Sequence, residues 1–203
     1  MEKYSYFEIE KQTQALYKEK GSKFIAYSFI VKNELEVKNC IDKLKKIEHS
    51  ARHFCYAYCI NADKSITRFN DDGEPANSAG KPILGQITAY NLTNVLIVVV
   101  RYFGGTKLGV GGLINAYKTA AKESINKTKI ITKHIQDVFE ITFEYDELNF
   151  VMRVQKELDL KIIHQKLEIN CEITFSVNKN ISNIALSKWN KNHKLKIKRI
   201  EIN

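Results

Sequence analysis

Alternation of apolar and polar side chains opens the chain. Residues 4–10 repeat with period two and read as a strand, and after the turn signal Lys20-Gly21-Ser22-Lys23 the aromatic and β-branched run 24–31 reads as another. The period then lengthens: Leu35, Val37, Ile41, Leu44 and Ile47 recur at about 3.6 residues, with Asn33 as cap and Glu34 and Glu36 in the first turn, predicting a helix over 33–48. Alternation returns over 53–60, and 65–69 can pair with it across Asn61-Ala62-Asp63, predicting a hairpin. Ile83, Leu84 and Ile87 share one helical face, so 79–89 is predicted helical despite its Gly and Pro. Residues 94–101 form a continuous β-branched run, the pattern of a strand covered on both faces, and lead into Gly104-Gly105. From Leu113 the spacing of Ala116, Tyr117, Ala120, Ala121 and Ile125 predicts a helix ending near Lys127.

Over 128–134 the periodicity lapses, and a self-contained pattern follows. This predicts an N-terminal domain over 1–127, a linker over 128–134 and a C-terminal domain over 135–203. The last part reads as a strand over 135–145, a helix capped by Asp146 and running to Glu157, strands over 161–170 and 171–177, a helix over 182–190 and a strand over 195–202. That order, βαββαβ, is the split βαβ or ferredoxin-like arrangement, an antiparallel sheet with two helices on one face. The expected class is α+β, two domains.

Composition narrows the field of functions. The 203 residues are 44% hydrophobic, ordinary for a globular chain. The longest apolar stretch, 95–100, is only strand-length, so no membrane span is expected. The first residues lack the apolar core of a secretory signal, and a cytoplasmic location is expected. Cys55 and Cys59 are separated by three residues, neither a redox pair nor a zinc knuckle, so these two, Cys40 and Cys171 are read as reduced thiols. The formal charge of +9 favours polyanionic partners through counterion release, although a solvated basic surface gives the same number.

Two segments carry candidate chemistry. Asp71-Asp72-Gly73-Glu74-Pro75 gathers three carboxylates at a turn, suited to a divalent cation or to acid–base work; it reads equally as a turn whose acids pair with Arg68, Lys81 or Arg101. The loop 104–112 carries Gly104, Gly105, Gly109, Gly111 and Gly112 at the start of a helix, where free N–H groups attract anions, with Arg101 and Lys107 as counter-charge. It lacks the Lys-Ser/Thr of a Walker loop and the third glycine of a dinucleotide fingerprint, and tight glycine packing explains it as well. His53 and Cys55 share one strand face, but Cys is more often a small buried hydrophobe than a nucleophile. Near the C-terminus, Lys188, Lys191, Lys194, Lys196, Lys198 and Arg199 surround Trp189, a composition suited to phosphates and base stacking or to a solvated edge strand.

Taken together, Asp71-Asp72-Gly73-Glu74-Pro75, Ala79-Gly80-Lys81-Pro82, Val98-Val99-Val100-Arg101-Tyr102-Phe103-Gly104-Gly105, Leu108-Gly109, Gly111-Gly112-Leu113 and Ala116-Tyr117 resemble the YigZ/IMPACT family, as do His53, Cys55 and Lys20-Gly21-Ser22-Lys23-Phe24. The resemblance implies a first domain of the βαβ type found in a small-subunit ribosomal protein and in domain IV of elongation factor G, then a ferredoxin-like domain. It also implies a translation-associated binding protein whose partner is RNA, the ribosome or a translation-regulatory protein. The candidate ligand- or RNA-binding positions are His53, Asp71, Asp72, Glu74, Lys81, Arg101, Tyr102, Gly104, Gly105, Lys107, Gly109, Gly111 and Gly112. No catalytic residue, metal ligand set or cofactor is assigned. The alternative is a small-molecule or metal-binding enzyme using the acidic turn and the 104–112 anion loop.

Overall fold

The computed structural model describes residues 4–200, so the end of the strand expected over 195–202 lies outside the described residues. The described residues are mixed α/β with five α-helices, and they divide into two compact units: residues 6–133, and residues 134–200 with Tyr4 and Ser5.

In the first unit a five-stranded sheet has the order β2 (Thr13–Glu19), β3 (Ser22–Ile30), β6 (Val95–Tyr102), β4 (His53–Ile60), β5 (Ile66–Asn70), every adjacent pair antiparallel. The central strand β6 is covered on both sides, which is why its apolar run is continuous. Val95, Ile97 and Val99 join Cys55, Ala57 and Phe24 beneath α2 (Gly80–Ala89) and α3 (Gly109–Asn126). Leu96, Val98 and Val100 face Val37, Ile41 and Leu44 of α1 (Glu34–Ile47). At roughly 1.5–3 kcal/mol for each large apolar side chain taken fully out of water, this double cover fixes the position of the β6 end and the loop beyond it.

Several expectations shift. The strand β2 was not apparent in the pattern because Thr13–Glu19 interleaves Gln, Tyr, Lys and Glu, as an edge strand can. The opening strand, β1 (Ser5–Ile9), stays outside the large sheet and pairs with β7 (Ile130–His134), so the stretch expected as a linker over 128–134 contains a strand. Helix α3 begins four residues before Leu113, through the glycines themselves.

The second unit runs β8 (Gln136–Glu144), α4 (Leu148–Glu157), β9 (Lys161–Lys166), β10 (Asn170–Asn178), α5 (Ser182–Trp189), β11 (Lys196–Ile200), with antiparallel sheet order β11-β8-β10-β9. Asp146 lies in a short 3-10 turn before α4 and makes no side-chain cap. Trp189 is fully buried against Phe139 and Phe175, with ring centroids 5.7 and 5.4 Å away, so it is a core residue and cannot stack on a base. The basic cluster around it is partly neutralised: Lys188 pairs with Glu157, Lys194 with Glu147, and Arg199 with Asp137.

Candidate functional site

The acidic turn folds inward. Asp71 sits just past β5, and its carboxylate closes the start of α2: Oδ1 accepts from the Ala79 and Gly80 amides at 2.9 and 2.8 Å, and Oδ2 accepts from Asn77 at 2.9 Å. It supplies the capping oxygen that Ala79, at the cap position, lacks. Asp72 reaches back to β4, where Oδ2 accepts from the Phe54 amide at 2.6 Å, and its carbonyl meets His53 Nδ1 at 2.8 Å.

Glu74 enters the interior. Its Oε1 accepts from Arg101 at 2.6 Å and from the Tyr117 hydroxyl at 2.8 Å, and the Glu74 and Arg101 side chains are only 4% and 7% exposed. Arg101 lies 5.5 Å from the Phe24 ring centroid and 5.6 Å from that of Phe103, while its Nε finds no hydrogen-bond partner. Cys55 continues the chain, its thiol donating to the Asp71 carbonyl at 3.0 Å and approaching the Tyr117 hydroxyl at 3.3 Å. Burial pushes the Cys55 thiol well above its ordinary range, and burial beside Cys55 and Glu74 does the same to the Tyr117 hydroxyl. A thiol held protonated is a poor nucleophile. At pH 8 a thiol reagent is therefore expected to modify partly exposed Cys40 on the folded chain and to leave Cys55, Cys59 and Cys171 unreacted until denaturant is added, as counted by absorbance.

His53, Asp71, Asp72, Glu74 and Arg101 thus come together, joined by Cys55, Tyr117 and Phe24. The sequence offered no sign that the Tyr117 hydroxyl belongs with them beyond its place in the family motif. Tyr102 does not join them: it faces the other side of the sheet and donates to Glu48 at 2.6 Å. Each carboxylate of the turn serves a different structural partner, and among the described residues no group of three or more His, Cys, Asp or Glu is placed to hold a metal ion.

Beyond Arg101 the chain turns outward. Gly104 is wedged against the β2–β3 turn, its amide donating to Ser22 Oγ at 3.1 Å; a Cβ there would lie 1.9 Å from the Gly21 carbonyl carbon. Gly105 and Gly109 take φ of +88° and +71°, which favour glycine. Gly111 differs in having no positive φ, and a Cβ on it would meet nothing within 4 Å. Lys107, Gly109 and Gly111 are exposed, α3 begins without a side-chain cap, and Phe103 and Val110 leave apolar surface beside it (58% and 54% exposed). Lys81 is exposed in the first turn of α2.

The model of the Impact N-terminal domain matches residues 20–125, which include the buried network and the outward loop alike. The chain belongs to the IMPACT family. IMPACT family member YvyE of Bacillus subtilis (strain 168) is 33% identical over 188 residues, covering 92% of this chain and 85% of that one. IMPACT family member YigZ of Escherichia coli (strain K12) is 32% identical over 147 residues, 71% of this chain and 72% of its own. A crystal structure described as that of a hypothetical protein superposes with a TM-score of 0.73 at 25% identity, over 98% of this chain and 99% of its own. The IMPACT motifs thus fall into two groups here: the acids and Arg101 turned inward, and Gly105, Lys107, Gly109 and Gly111 turned outward.

Proposed function

We propose that this IMPACT chain is a cytoplasmic, translation-associated binding protein that uses the 104–112 loop to contact RNA phosphates, on the ribosome or elsewhere. The observation carrying this reading is the division of labour just described: the acids that catalysis would need are consumed in holding the fold, while the glycine loop keeps open, uncapped backbone at the surface. Exposed N–H groups at a helix start, with Lys107 in the same loop, suit an anion, and the charge of +9 draws polyanions. The translation assignment is what the resemblance to the family implies. The second unit, with its βαββαβ order and β11-β8-β10-β9 sheet, is read as a ferredoxin-like module. No helix among the described residues is long and apolar enough to cross a membrane.

Of the phosphate-contacting candidates, Arg101 is committed to Glu74, which leaves Lys81 and Lys107. Co-sedimentation with ribosomes at 50 and 200 mM salt tests the reading. Each phosphate contact adds roughly 0.7–0.9 to the slope of log affinity against log salt. Lys81→Glu with Lys107→Glu is expected to weaken binding and flatten that slope by about two contacts. Retention indifferent to salt and to both charge reversals would sink the proposal.

A further inference from the structure

The hairpin that joins β2 to β3 ends in three lysines. Lys18 and Lys23 are cross-strand partners, and their neighbours Tyr17 and Phe24 pack into the core beneath α3, so both lysines point to the other side of the sheet. Like charges directly opposite each other work against strand pairing. Lys20 and Gly21 make the turn, with φ of +44° and +80°, the positive values at both central positions that a type I′ turn requires. Asparagine or glycine takes the first of these positions easily, whereas lysine there is strained. All three lysines are exposed, and none has an ion-pair partner among the described residues. The nearby carboxylates are engaged elsewhere: Glu19 accepts from the Tyr17 hydroxyl at 2.6 Å, and Glu48 accepts from the Tyr27 and Tyr102 hydroxyls. Folding alone favours neither the opposed pair nor the lysine in the turn.

This hairpin end is built against the glycine loop. Lys23 is in register with Tyr102, the Gly104 amide donates to Ser22 Oγ, and a Cβ on Gly21 would lie 2.8 Å from the Gly104 carbonyl oxygen. Phe103 stands between these two contacts in the chain; it is exposed and packs against Arg101 on the α3 side. The end of the sheet is therefore a ridge, with Phe103 and the start of α3 on one side, Lys20 at the hairpin tip, and Lys18 and Lys23 on the other side. We propose that a single strand of RNA crosses this ridge, with a base on the Phe103 ring and phosphates on Lys18, Lys20 and Lys23. This rests on the reading of the 104–112 loop as a contact for RNA phosphates, and it names the form of RNA. Cations interleaved with an aromatic ring suit a single strand, because every base has a face to stack and every nucleotide carries a charge. A flexible single strand folds over such a ridge, and a stiff duplex does not. An acidic peptide would satisfy the lysines but has no base to lay on Phe103.

The test titrates the full chain into a fluorescein-labelled ten-nucleotide oligouridylate, read by anisotropy at 50 and 200 mM salt, with a ten-base-pair RNA duplex and a ten-residue polyglutamate peptide as competitors. The wild-type chain should bind the single strand saturably, and each competitor should displace it only at about tenfold excess or more. Lys18→Gln with Lys23→Gln should weaken binding about fivefold or more and lower the salt slope by about 1.4, two contacts at roughly 0.7 each. Lys20→Asn should weaken binding about twofold or more and raise the melting temperature by about 1–2 °C, since Asn-Gly suits this turn. Phe103→Leu keeps an apolar cover over Arg101 and should weaken binding about fivefold or more with the salt slope unchanged. Absence of saturable binding, displacement by duplex or polyglutamate at equal concentration, or wild-type affinity in the lysine variants or in Phe103→Leu would each overturn the proposal. So would a lowered melting temperature in both lysine variants, which would mean that the lysines serve the fold. The loop's own reading is decided separately, by ribosome retention in Lys81→Glu with Lys107→Glu, so the two can fail independently.

Discussion

Glu74→Ala is expected to lower the stability of the first unit by about 3–5 kcal/mol, because it strands the Arg101 guanidinium in the interior with no counter-charge. Arg101 is 7% exposed and already has one nitrogen without a partner, so water cannot replace Glu74 cheaply. Arg101→Ala should cost a similar amount, since it leaves the Glu74 carboxylate with only the Tyr117 hydroxyl. The double change Glu74→Leu with Arg101→Met removes both charges and should recover much of the loss. Hydrogen exchange at the β4 and β6 amides reads the first unit by itself, which suits a chain of two units that need not unfold in one step. A loss below about 1 kcal/mol for Glu74→Ala would mean that the pair is solvated and the network is not a structural lock.

Gly104→Ala is the second large effect. The added Cβ would meet the Gly21 carbonyl carbon at 1.9 Å and the Ser22 nitrogen at 2.2 Å, both backbone atoms that cannot rotate away. The β3–β6 end must separate, and a loss of about 3 kcal/mol is expected, the upper part of the overpacking range. Gly111→Ala is the contrast: its Cβ enters open space on a helix, and alanine should stabilise the helix by roughly 0.5–1 kcal/mol. Thermal melts of the two variants side by side should move in opposite directions.

Much of the architecture was legible in the pattern. The period-3.6 stretch with Asn33 before it became α1, where Asn33 Oδ1 accepts from the Glu36 amide at 2.9 Å. The β-branched run at 94–101 became the central strand because helices cover both its faces. Other features were hidden for physical reasons. Strand β2 is held by pairing with β3 more than by an apolar face, so its sequence looks like loop. Helix α3 starts through glycines, which propensity places outside helices. The turn's composition was plain, but composition does not say which way a carboxylate points. Tertiary partners far along the chain, 27 residues away for Arg101 and 43 for Tyr117, drew Glu74 inward. Trp189 went the same way, an aromatic among lysines whose ring belongs to the core.

In the function proposed above, the outward glycines serve recognition and the inward acids serve the fold. Ribosome co-sedimentation of Gly111→Glu at low salt, with amide exchange on the same sample, tests it most directly. A carboxylate in the first turn of α3 should favour the helix by about 0.3–1 kcal/mol through its dipole, and it removes a helix glycine. It would also set a negative charge where a phosphate is expected to approach. Protection equal to or above wild type, with ribosome retention reduced about tenfold or more, is the predicted result. Undiminished retention in a fully folded Gly111→Glu chain would contradict it.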